Sequence, residues 1–146
     1  MKSDIDIQDD VFHYLQNNQY FWSDMAEYGI LPTSLVRDTR KEGEENVVIS
    51  ILANGGDVEE IQESFVNVNV FVKDLEDTKE TPGAGVVTEY YPNIKKLRGI
   101  CQVMADYLFG YGDTFRFEIN EQRVLADEAT HTHFVNTKLL YKSINL

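Results

Sequence analysis

At 146 residues, with 42% hydrophobic and 26% charged side chains, the chain is long enough for one domain with a proper core and too apolar to be disordered. Its 25 acidic residues against 13 basic ones give a formal net charge of −12, which argues against sequence-reading contact with DNA and for solubility, or for a surface that lies near DNA without holding it. The single cysteine, Cys101, excludes an intramolecular disulfide and a thiolate cluster, and no apolar run reaches membrane-spanning length.

Residues 1–6 carry acids where an export signal would carry basic and apolar blocks, so no export by such a signal is expected. Residues 4–17 read as the first helix. At 100° per residue, Ile7, Val11, Phe12, Tyr14 and Leu15 share a face opposite Asp6, Asp9, Asp10, His13 and Gln16. Ser3 or Asp4 suits the N-cap, and the early aspartates suit the positive end of the helix dipole.

Tyr20, Phe21, Trp22 and Tyr28 form an aromatic cluster before Gly29-Ile30-Leu31-Pro32, read as a loop or short strand. The cluster is either a satellite core under a loop or an interface, where Tyr and Trp are enriched. Residues 37–46 are polar and read as an exposed connection. The apolar run 47–53 is a buried strand, and Asn54-Gly55-Gly56-Asp57 reads as the turn into the next one.

The stretch 61–74 is the organising strand. Side chains alternate along a strand, so Val66, Val68, Val70 and Val72 must cover the core, while Phe65, Asn67, Asn69 and Phe71 form a second face. That face is too apolar at its ends to be simply solvated. Residues 75–92, with Thr81-Pro82-Gly83-Ala84-Gly85, read as a long functional or disordered loop.

The second helix is expected over 93–109, with Pro92 in its first turn and Gly110 past its end. Ile94, Leu97, Cys101, Met104, Ala105 and Leu108 form its stripe. Ile100, Val103 and Tyr107 widen it into a surplus flank suited to a neighbour. Gly99 suggests close approach by another segment or subunit. Strands follow at 114–120, 123–126 and 132–142. The sum is an α+β fold: two main helices packed on a mostly antiparallel sheet, in the order helix, β-hairpin, helix, two to three strands, as a single domain over 1–146.

Catalytic chemistry finds little footing. His131 and His133 fall on one side of an extended segment and could share a metal, but no third ligand is identifiable, and a polar strand end explains them as well. His13 lies on a solvated helix face. Cys101 sits on an apolar stripe, as a small core residue does. The Pro-Gly-Ala-Gly segment lacks the ending of a phosphate-binding loop. The reading is therefore non-enzymatic, with no catalytic residue, no cofactor site and no metal site.

The runs Asp10-Val11-Phe12-His13-Tyr14-Leu15, Tyr28-Gly29-Ile30-Leu31-Pro32-Thr33 and Val47 through Asn54 lead into Phe65-Val66-Asn67-Val68-Asn69-Val70. With Phe115-Arg116-Phe117 and Phe134 through Tyr141, the chain resembles small phage or prophage virion proteins of Bacteroidetes-type bacteria. Its element order is similar to that of the tail-terminator, or tail-completion, superfamily of long-tailed phages. That resemblance implies a structural virion-assembly protein and a homo-oligomeric ring, usually a hexamer. Such a ring caps the tail tube and joins it to the neck, with the major tail tube and neck proteins as partners. It assembles in the bacterial host cytoplasm, ends in the virion, passes DNA without sequence-specific contact and touches no membrane. The alternatives are another head–tail connector, neck or baseplate component, or a host interaction module pairing through a sheet edge.

Overall fold

The computed structural model describes residues 2–41, 43–58 and 61–144. Its first helix, α1 (Asp4–Gln16), begins at a capping box: the Ser3 hydroxyl accepts from the Asp6 N–H, and the Asp6 carboxylate accepts from the Ser3 N–H. Ile7, Val11 and Leu15 are buried, as their spacing requires, with Phe12 and Tyr14 half-buried on the flanks.

The loop or short strand expected after it is instead a second helix, α2 (Gln19–Ala26), capped by the Asn18 side chain. Phe21, Trp22 and Met25 bury one face, and the Trp22 indole donates to the Leu15 carbonyl at 2.7 Å. Eight residues are too few to display a helical period, and the aromatic run mimics a strand. Phe21 and Trp22 are thus part of the main core and Tyr28 packs against it, while Tyr20 is 67% exposed.

β1 (Leu35–Arg37) pairs in parallel with β2 (Val47–Val58). The expected turn at Asn54-Gly55-Gly56-Asp57 lies inside β2, where the pairing with β3 (Ile61–Lys73) shifts register twice, as at β-bulges. A Cβ on Gly55 would come within 2.8 Å of the Glu63 carbonyl, so the glycine marks close backbone approach rather than reversal. Asn54 bonds to Gln62, Ser64 and Asp4.

β3 is central and buries Val66, Val68, Val70 and Val72 on the inner face, as its alternation demands. It pairs antiparallel with β8 (Thr132–Ile144), from Ile61 opposite Ile144 to Lys73 opposite Thr132. β7 (Phe115–Asp127) is one continuous strand with an irregularity between Ile119 and Glu121, not two short strands. With β6 (Gly110–Tyr111) it completes a six-stranded mixed sheet, ordered β1-β2-β3-β8-β7-β6.

The stretch 75–92, expected as a loop, is a separate two-stranded hairpin, β4 (Leu75–Thr81) and β5 (Gly85–Tyr91). At its turn, Pro82 precedes Gly83 at φ +83°, and the Ala84 N–H donates to the Thr81 carbonyl at 3.0 Å. That combination is the signature of a type II turn.

α3 (Ile94–Tyr107) is capped by Asn93 rather than started by Pro92. Its buried face is rotated from the expected stripe. Leu97, Ile100, Val103 and Met104 are buried, Cys101 is half-buried, and Ile94 is 54% exposed. The supposed surplus flank therefore serves the core: Tyr107 donates to the Asp24 carboxylate of α2 at 2.7 Å and meets Phe21 edge-on. The close approach at Gly99 comes from Tyr28, whose ring would lie about 2.2 Å from an added Cβ.

Two helices on a sheet is thus not the architecture. Among the described residues, eight strands dominate and three helices cover the inner sheet face. The polar segment 37–46 is also only partly exposed, for Asn46 is buried and Arg40 reaches back over the sheet; Glu42 within it lies outside the described residues.

Candidate functional site

His131 and His133 lie at the base of the β4–β5 hairpin, not around a shared point. His131 occupies the left-handed region at φ +52° in the β7–β8 connection. Its ring stacks on Tyr90 of β5 at 3.7 Å between centroids. The His133 Nδ1 lies 2.6 Å from Asp74, the residue that links β3 to β4. The Asp74 N–H also donates to the His131 carbonyl at 3.0 Å. Asp127 approaches Arg40 at 3.6 Å instead of either imidazole. Among the described residues no three metal-capable side chains gather. The imidazoles fix where the hairpin leaves the body.

The hairpin beyond that base has no buried residue. Leu75, Val86, Val87, Tyr90 and Tyr91 are all exposed, Val86 at 64%. Glu76, Asp77, Glu80 and Glu89 are its carboxylates, against one cation, Lys79. Lys79 pairs with Asp77 at 3.3 Å, and the Tyr91 hydroxyl donates to Glu89. The Tyr91 hydroxyl is held above the ordinary tyrosine range, first by that hydrogen bond. A two-stranded hairpin without a surface beneath it is marginal in water.

A second surface lies on the sheet. Register places Phe65, Asn67, Asn69 and Phe71 of β3 beside Leu140, Lys138, Asn136 and Phe134 of β8, on the face away from the helices. All eight are half-buried. Phe71 stacks on Phe134 at 4.8 Å, and the Asn136 amide donates to Asn69 at 2.6 Å and Asn67 at 3.2 Å. Arg40 lies over Phe71 at 4.3 Å and donates to Thr130 and Thr132, covering one corner.

At the far end of this face, Arg116 and Lys142 stand directly opposite each other across β7 and β8. With Ile61, Tyr111, Phe115 and Ile144 they line a cleft of about 430 Å³. Like charges in direct cross-strand opposition destabilise a sheet. Among the described residues the carboxylate that pairs with Lys142 is Glu63, at 3.6 Å and itself mostly exposed.

Two further clusters bear on catalysis. Lys2 donates to Asp10 at 2.6 Å and to the Tyr141 hydroxyl at 2.9 Å, while that hydroxyl donates to Asp10. Tyr141 is fully buried, and burial first, then the Asp10 bond, pushes its ionisation far above the ordinary range. A general base needs the reverse. This network pins residue 2 across the sheet end, as does the Gln62 amide that donates to the Lys2 carbonyl at 2.9 Å. Burial likewise raises the Cys101 thiol, opposite to what a nucleophilic thiolate requires.

Nothing in the sequence links Asp74 to His133 or sets Arg116 against Lys142, because both pairings are long-range. The hairpin did leave a signal: Pro82-Gly83 is a type II turn pair, flanked symmetrically by Thr78 and Thr88, whose hydroxyls meet at 3.2 Å. No family model matches the chain, and no curated protein matches it.

Proposed function

We propose that the protein is a structural, ring-forming virion-assembly subunit of the tail-terminator type, capping the tail tube and joining it to the neck. The observation that carries this reading is the projecting hairpin. A self-sufficient body extends an arm with exposed Val86, Val87, Tyr90 and Tyr91, and leaves a half-apolar sheet face bare. Such a pair of unlike surfaces suits repeated head-to-tail assembly. The resemblance of the quoted sequence runs to virion proteins supplies the setting.

Charge placement supports it. α1 carries Asp4, Asp6, Asp9 and Asp10 without a single Lys or Arg, and the hairpin is acidic too. The bare sheet face holds most of its cations on β7 and β8. An assembled ring would expose acid on selected surfaces, where DNA phosphates would not adhere.

A second reading is an adaptor that pairs through a sheet edge. Among the described residues, β7 beyond Phe117 pairs only with β8, so its other edge is open. Glu118, Glu121, Arg123 and the register shift there are the devices that deter strand addition, which ranks this reading second.

The test is functional. Purified protein is added to polymerising tail tube subunits, and tube length and end structure are measured by electron microscopy. Capped ends and arrested growth are expected. Unchanged elongation, with the protein monomeric in the presence and absence of tubes, would overturn the reading. Gene position between head-completion and tail tube genes is expected for a terminator rather than a baseplate part.

A further inference from the structure

We propose that the β4–β5 hairpin is an arm that docks on the bare sheet face of a second copy of this chain, with its tip at the Arg116–Lys142 cleft. The proposal deepens the ring reading and rests on it. The hairpin supplies one half of the argument. Its strands of seven residues extend roughly 24 Å, enough to cross the β2, β3, β8 and β7 strands, which together span about 14 Å. Its apolar side chains lie on both faces and are exposed, with the Tyr90 ring stacked on His131 at the base.

Charge supplies the other half. The hairpin carries four carboxylates against one lysine. On the bare face, register places Lys73, Lys138, Lys142, Arg116 and Arg123 against Glu63, Glu118, Glu121 and Asp127. Five cations against four carboxylates, with Arg40 over Phe71 as a sixth cation, make this face positive in a chain of net charge −12. An acidic arm is therefore drawn there, and away from the aspartates of α1.

The tip fits the cleft in kind. Register sets Glu80 opposite Val86, a carboxylate beside an aliphatic side chain. The cleft sets Lys142 and Arg116 beside Ile144 and Ile61. A carboxylate placed between the two opposed cations relieves their repulsion, and Val86 covers the exposed isoleucines. Arm and cleft lie at opposite ends of β3 and β8, which lets a copy give its arm to one neighbour and receive the arm of another, a heterologous contact. Each copy gives an arm and receives one, the arrangement that closes into a ring when the rotation permits.

The test is a charge exchange followed by sedimentation velocity on the full chain. One variant carries Arg116→Glu and Lys142→Glu; the other carries Glu76→Lys and Glu80→Lys. Arg116, Glu76 and Glu80 are exposed and Lys142 is half-buried, and an unchanged thermal midpoint verifies each fold. Each variant alone is expected to self-associate at least about tenfold more weakly than the parent. An equimolar mixture of the two is expected to regain association. Variants that associate like the parent, or a mixture that fails to recover, would overturn the arm-on-sheet contact while leaving ring assembly through another surface intact. A parent chain that stays monomeric at every concentration, with and without tail tube, would overturn the ring reading itself and this contact with it.

Discussion

The β3–β8 pair and the β4–β5 hairpin are both antiparallel, both well registered, and meet at a small joint made by Asp74 and the His131–Tyr90 stack. They differ in what lies beneath them. β3 and β8 bury Val66, Val68, Val70, Val135, Leu139 and Tyr141 under the helices. The hairpin buries nothing, although its cross-strand pairing is complete from Leu75–Tyr91 to Thr81–Gly85. Hydrogen-bonded pairing exchanges one set of hydrogen bonds for another with water, so burial is what separates a self-supporting strand pair from one that needs a partner.

Substitutions should divide along that line. Phe21→Ala, which removes a fully buried ring packed edge-on against Trp22 and Tyr107, is expected to cost about 3–5 kcal/mol in chemical denaturation. A cost under about 1 kcal/mol would mean that α2 is not part of the core.

Tyr141→Phe should cost about 1–3 kcal/mol, because Asp10 and Lys2 lose a buried partner. The same hydroxyl sets an alkaline limit. Its folded-state pKa lies above the unfolded value near 10, so the folded state holds the proton longer. Its stabilising contribution is fully present below about pH 10 and is lost as pH rises beyond it. Phenolate absorbance should show one tyrosine ionising only with unfolding. Complete titration of every tyrosine before the fold is lost would contradict this.

Gly99→Ala should destabilise while Tyr28 is present, since the ring must move aside. In a Tyr28→Ala background the same change should stabilise by up to about 1 kcal/mol through helix propensity. Identical effects in both backgrounds would remove Tyr28 as the cause. The smallest effect is expected at the arm: Val86→Ser should leave stability within about 0.5 kcal/mol and act on self-association instead.

What the chain discloses in its order of residues follows the same division. β3 and β8 are legible because one face is buried and the period of two survives in the valines and in Val135, Thr137, Leu139 and Tyr141. α1 is legible through Ile7, Val11 and Leu15. α2 is not, being short and aromatic. The face of α3 is set by α2, so its rotation toward Ile100 and Val103 could not be read from its own stripe. β1 is three residues held by a parallel partner. The hairpin lacks a buried face and so never writes an apolar alternation. For the candidate site, the second face of β3 was visible as an anomaly at Phe65 and Phe71. His131 and His133 were visible as chemistry, but their use at the hairpin base depends on Tyr90 and Asp74, distant in sequence.

Whether the hairpin depends on a second copy for its stability is decided by amide hydrogen exchange at a series of protein concentrations. The β3 and β8 amides are expected to be strongly protected at every concentration, whereas Glu76–Tyr90 cross-strand amides exchange rapidly in dilute solution and become protected as copies associate. Hairpin protection that is already high in the monomer, or that stays absent when the protein is concentrated, would contradict it.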